Sequence, residues 1–163
     1  MGNNVAVMKP EGTINLGRVI LGGLVAGVII NVVEGMMHAV VLADRWEAQM
    51  ASLNRSAAGS AKQIVVLNLW GFAAGMLVVW LYAAIRPRFG AGPKTAMCAG
   101  LFCWATICGM GTAVPVILHV YRLDLGLTGV GYELVEMLIA GLAGAYFYKE
   151  NPAQMARSSS ARA

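Results

Sequence analysis

The chain has 163 residues, 58% of them hydrophobic and 12% charged, with 12 Lys and Arg against 8 Asp and Glu and a net charge of +4. Soluble domains average about half apolar and about a quarter charged, so both a soluble globular chain and a disordered one are excluded. Three Cys, an odd number, exclude a disulfide framework as the organising feature. A small multi-pass membrane protein remains.

Taken from the N-terminus, the first 17 residues are polar, with no small-residue cleavage site after a short apolar core. The start therefore reads as the approach to a membrane helix and not as a cleaved signal peptide. A crossing helix needs about 20 mainly apolar residues. Four stretches have that length, at about 18–42, 63–85, 95–121 and 126–148. The second and third carry no charged residue, whereas Glu34 lies in the first and Glu133 and Glu136 in the fourth. Between the first two, Leu42, Trp46, Met50 and Leu53 recur at helical spacing among Asp44, Arg45, Glu47 and Arg55. That pattern predicts a short helix lying on the outer surface. Arg86-Pro87-Arg88-Phe89-Gly90 reads as a turn with snorkelling cations. The expected fold is all-α: a four-helix transmembrane bundle with an interfacial helix in the first external loop. Residues 1–150 form one four-span domain, and 151–163, rich in Ser and Ala, a mobile cytoplasmic tail.

Orientation follows from the basic residues. Lys9, Arg18, Arg86, Arg88, Lys94, Lys149, Arg157 and Arg162 fall on the side of the termini, against Arg45, Arg55, Lys62 and Arg122 on the other. Positive-inside places both termini in the cytoplasm of an inner, or plasma, membrane. Trp80, Tyr82, Tyr146 and Tyr148 then mark the inner aromatic belt, and Trp46 and Tyr121 the outer one.

Small and polar residues form one stripe on each helix. The stripes are Gly23, Gly27, Asn31, Glu34, His38; then Asn68, Gly71, Gly75; then Ala105, Gly109, Thr112, Val116, His119; and Gly129, Glu133, Glu136, Ala140, Gly144. Spacings of three and four keep each set on one face. Each stripe contains a small-xxx-small pair, which lets backbones approach closely in lipid. At about 1.5 Å per residue, Asn31 and Glu136 come near the midplane, and Glu34 and Glu133 about 6 Å outward. His38, Asn68 and His119 lie further out. The candidate binding cluster is therefore Asn31, Glu34, His38, Asn68, His119, Glu133 and Glu136, with Glu34 and Glu133 as the coupled carboxylates.

Ionisable groups inside a membrane point to function. Two carboxylates at one level without Lys or Arg need protons, a bound cation, the histidines or a cationic substrate. The first reading is cation- or proton-coupled solute binding or transport. The second is a structural or accessory subunit of a larger membrane complex. The third is a metal or redox site: Glu34 and His38 are i, i+4 and could chelate with Glu133 and Glu136, though the single Glu-x-x-x-His departs from the usual bundle motif. No cofactor is required by the sequence, and a divalent metal stays open. A haem held by His38 and His119 fits less well, because the two differ in depth. The expected partners are the lipid bilayer and a homo-oligomer or membrane complex, and the sparse basic loops do not suit nucleic acid.

Cys98, Cys103 and Cys108 step by five, about 140° apart on a helix, and read as core or lipid-facing thiols. Pro115 is expected to kink the third span near His119. Nucleotide-binding, hydrolase-elbow and zinc-protease motifs are absent, so an enzymatic reading has no residues to rest on. Leu16-Gly17-Arg18-Val19-Ile20-Leu21-Gly22-Gly23 and Arg86-Pro87-Arg88-Phe89-Gly90 give the chain a layout that resembles small, uncharacterised bacterial four-span membrane proteins. The resemblance covers most of the chain and implies the four-span fold, with no activity or site residue attached.

Overall fold

A computed structural model describes residues 14–149; the expected tail at 151–163 lies outside them. Helix α1 (Leu16–Met36) starts at Asn15, whose side chain accepts from the Arg18 N–H, and passes into a π-helical segment, Met37–Val41. A short α2 (Ala43–Ser52) follows. Helix α3 (Ala61–Phe89) opens with a capping box between Ser60 and Gln63, which satisfies two backbone donors that the first turn leaves free. The third span is α4 (Pro93–Cys103), a π-helical segment (Trp104–Gly109) and α5 (Met110–Ile117). Helix α6 (Leu123–Phe147) completes the bundle. Among the described residues there is no strand, and four stretches are long and apolar enough to cross a membrane: Leu16–Val41, Ala61–Phe89, Pro93–Ile117 and Leu123–Phe147.

Two connections differ from the sequence expectation. Helix α3 continues through Pro87 to Phe89, because a proline in the last turn removes only one backbone donor. The turn is instead Gly90–Gly92, with φ of +83° and +140° at the two glycines, closed by the Thr95 hydroxyl donating to the Gly90 carbonyl at 2.7 Å. The third span stops at Ile117 rather than near 121. There His119 takes a left-handed φ of +55°, its N–H bonds the Val116 carbonyl and the Val120 N–H bonds Pro115. This is a Schellman terminus.

The α1 helix packs on α3 and α6, α4 packs on α3 and α6, and α3 also meets α6 across the bundle. The small residues set how close the helices come. A Cβ on Gly75 would meet the backbone of Gly27 and lie 2.6 Å from the Gly23 carbonyl oxygen, and one on Gly22 would meet the Gly144 carbonyl. On the third span the buried face is Ala96, Ala99, Gly100 and Cys103. The expected Ala105–Gly109 pair packs on no neighbour: Ala105 is exposed and a Cβ at Gly109 would meet only the Trp104 carbonyl. The π-helical segment takes more residues per turn and turns Ala105 off the bundle face, while Thr112 and Val116 beyond it lie against Gly126 of α6.

Packing is uneven along the bundle axis. At the end that carries the termini, Val78, Val79, Ala83, Ala99 and Ala140 are buried in one core. Tyr82 and Tyr148 are buried there too, edge to face at 5.9 Å, with the Arg86 guanidinium 5.6 Å from the Tyr148 ring centre. These two tyrosines knit the helix ends together, while Trp80 and Tyr146 remain on the lipid side as the aromatic-belt pattern requires. Toward the α2 end α3 is less covered. The bundle-facing stripe of α3, buried at Gly71, Ala74, Gly75 and Val78, continues one heptad earlier as Ile64, Leu67 and Asn68. There Ile64 is 53% and Leu67 66% exposed. The small residues of the α3 stripe stop at Gly71, and residues 61–70 are exposed.

Candidate functional site

The cluster sits between the core and the α2 end, where α3 is less covered. On α1, the Asn31 amide donates to the Asn68 carbonyl at 3.1 Å, and the absence of a side chain at Gly71 leaves room for it. The Asn68 amide turns back to the Ile64 carbonyl at 2.8 Å. Asn31 and Asn68 thus join α1 to α3.

One turn further along, Glu34 collects two partners. Its Oε2 lies 3.0 Å from the His38 Nδ1 and accepts from the Tyr132 hydroxyl at 3.1 Å, and the Glu136 carboxyl is near enough to interact with it electrostatically. Glu136 is 4% exposed, and its Oε1 has no hydrogen-bond partner. Glu133 interacts with Glu34 and with Cys108 of the third span, and its Oε2 is buried without a partner. Tyr132, four residues before Glu136 on α6, donates to Glu34, and Glu133 lies about 60° from Glu136 around the helix.

Tyr132, Cys108 and Trp46 belong to this site and are missed by the stripe reading. Tyr132 had a signal, standing four residues before Glu136. Cys108 had none: an ideal α-helix turns it away, and the π-helical segment turns it back. The Thr106 hydroxyl of that segment donates to the Phe102 and Cys103 carbonyls at the end of α4, and the Trp104 indole donates to the Val130 carbonyl of α6 at 2.8 Å. Trp46 stacks on His38 with ring centres 4.9 Å apart and meets the edge of Tyr121 at 5.5 Å. Helix α2 is held in this position by Gln49, 2% exposed, whose amide donates to the Val120 carbonyl at 2.6 Å and accepts from the Arg122 N–H at 3.0 Å.

His119 stands apart from the cluster, exposed, as the left-handed residue that ends α5. Glycine adopts that conformation without the Cβ penalty. His119→Gly is therefore expected to raise stability by about 0.5–1 kcal/mol with ligand binding unchanged, measured by thermal unfolding in detergent alongside a binding titration. Lost binding would return His119 to the site. Among the described residues no group of three or more His, Cys, Asp or Glu is arranged to hold a metal ion. The candidate ligands Glu34, His38, Glu133 and Glu136 are not gathered into such a group.

The fold and this site define a multi-pass integral membrane protein, a four-helix bundle with a carboxylate cluster among its spans. No protein-family model, curated protein or solved structure matches the chain.

Proposed function

We propose that the protein binds a cation at the Glu34–Glu133–Glu136 cluster in exchange for a proton, as the binding step of cation- or proton-coupled solute transport. The observation that carries this reading is the pair of buried carboxylate oxygens, on Glu133 and Glu136, that have no hydrogen-bond partner. A buried acceptor without a partner costs about 1–3 kcal/mol, and a bound cation or proton removes that cost. The core lies toward the end that carries the termini, and His38 and Trp46 stack on the α2 side of the cluster. With the basic residues as counted, both termini lie in the cytoplasm of an inner membrane and the α2 side faces outward.

The test is proton release. Protein in lipid nanodiscs, in weakly buffered solution with a pH-sensitive dye, is titrated with methylammonium, Na+ and Mg2+. Wild type is expected to release protons saturably with at least one of them. Glu34→Gln and Glu133→Gln are expected to insert normally and to weaken the response by about tenfold or more, equivalent to about 1.4 kcal/mol. Equal release from wild type and both variants, or none from wild type, would leave the cluster as a polar network that only fixes helix packing. Stoichiometric copurification of another membrane protein with a silent wild type would favour the accessory-subunit reading.

A further inference from the structure

His38 lies one helical turn beyond Glu34, about 6 Å further along the axis, in the π-helical segment that leads to α2. Its Nδ1 faces two oxygens of Glu34, the carboxylate Oε2 at 3.0 Å and the backbone carbonyl at 3.1 Å. Two acceptors on one ring nitrogen place the ring proton on Nδ1. Nε2 is then the basic nitrogen of the neutral ring, and it makes no hydrogen bond among the described residues. The His38 side chain is 42% exposed, whereas Glu136, which interacts with Glu34, is 4% exposed. Trp46 of α2 stacks on the ring with planes 26° apart and is itself held against Tyr121. Stacking occupies a face of the ring and leaves the edge, with both nitrogens, to hydrogen bonds and water. The titratable groups that act on His38 are Glu34 on its own helix and Glu133 on α6; α2 presents the uncharged Trp46 ring.

A histidine with one nitrogen on a carboxylate and the other unpartnered can pass a proton between the two sides of its ring. We propose that His38 is the proton relay of the carboxylate cluster, carrying to the α2 side the proton that a bound cation displaces. The relay rests on the cation-for-proton reading above and assigns its proton path. In the step, the Glu34 Oε2–H bond breaks and an Nδ1–H bond forms, while the Nε2–H bond breaks and that proton passes to water. One proton enters the ring and one leaves it, so His38 ends neutral and Glu34 ends ionised. The end state matches the geometry at Nδ1, whose proton the Glu34 carboxylate and carbonyl then share. The reverse sequence reloads the cluster. The competing path is direct loss from Glu34, whose side chain is 32% exposed.

The test is kinetic. Rapid mixing with infrared detection follows the carboxylic C=O band of the protein in nanodiscs, a signal that added buffer does not damp. Mixing with methylammonium, Na+ or Mg2+ is expected to remove the band from wild type. His38→Asn puts an amide N–H in the place of Nδ1 but cannot pass a proton through. It is expected to lose the band to the same extent about a hundredfold more slowly. His38→Ala is expected to be as slow, and imidazole added to the solution is expected to restore much of its rate. His38 is exposed and outside the core, so both variants are expected to fold. Band loss at the wild-type rate in both variants means that the proton leaves Glu34 directly, and it overturns the relay. A wild-type rate in His38→Asn alone, or a slow His38→Ala that imidazole does not quicken, makes His38 a brace for Glu34 and overturns the relay too. A band that none of the three cations removes from wild type overturns the cation reading itself, and the relay with it.

Discussion

Gly75→Ala is expected to destabilise the bundle more than any other single methyl group added to the chain. The new Cβ would meet the Gly27 backbone nitrogen and sit 2.6 Å from the Gly23 carbonyl oxygen. Both are backbone atoms inside a regular helix, so no rotamer change relieves the overlap. The first and second spans must separate, and contacts along the Gly23, Gly27 and Gly71 seam loosen together. Overpacking of this kind costs about 1–3 kcal/mol, against which alanine recovers about 1 kcal/mol of helix propensity. Leucine recovers no more and adds three carbons, so Gly75→Leu is expected to leave no folded bundle. Gly131→Ala on α6 is the matched control, since a Cβ there meets nothing within 4 Å. It is expected to be neutral or stabilising by up to about 1 kcal/mol. Thermal unfolding of the three variants in one detergent decides the matter: Gly75→Ala as stable as Gly131→Ala would remove the seam from the account of how the bundle holds together.

The second large effect runs in opposite directions for stability and binding. Glu136→Gln keeps the size and shape of a side chain that is 4% exposed. The amide brings N–H donors toward Glu34, which an ionised carboxylate lacks. Hydrogen bonds to charged groups contribute about 1.5–3 kcal/mol, so the variant is expected to gain about 1 kcal/mol or more in thermal unfolding. The same substitution removes a negative charge from the apex and is expected to weaken cation binding by at least about tenfold. A site that stores unsatisfied acceptors for a ligand carries this trade-off between stability and activity. A variant that loses stability and keeps full proton release would show that Glu136 supports the fold and takes no part in binding. Glu136→Leu separates charge from polarity: replacement of a buried ionic group by an apolar one is often neutral or stabilising, and it is expected to abolish binding as completely as glutamine does.

The site also shows where periodicity stops being a guide. The stripe on α1 was legible to within a residue, because Leu16–Met36 is a regular helix and a spacing of three and four there means one face. The same rule applied to the third span selected Ala105, Gly109, Thr112, Val116 and His119, of which Ala105 and His119 are exposed and Thr112 and Val116 lie against Gly126 of α6. Six residues of π-helix at Trp104–Gly109 alter the rotation in the middle of that span, and His119 lies beyond the helix end. Nothing in the sequence marks the π-helical turn in advance, since its stabilising contacts are tertiary: the Trp104 indole on the Val130 carbonyl depends on α6 being alongside.

By itself the sequence determined the number of spans, their approximate limits, the surface helix between the first two, and the carboxylates among the spans. Each of these depends on local quantities: the length of an apolar run against the thickness of a bilayer, the 3.6-residue repeat, and the cost of an ionisable group in lipid. Only the tertiary structure decided which carboxylate meets which, that Tyr132 and Cys108 join them, that Trp46 lies over His38, and that the bundle is tight at one end and less covered at the other. Those outcomes depend on how close two helices approach and how each is rotated. Backbone contact at Gly22, Gly75 and Gly144 and a π-helical turn set that geometry, and they act between segments far apart in the chain.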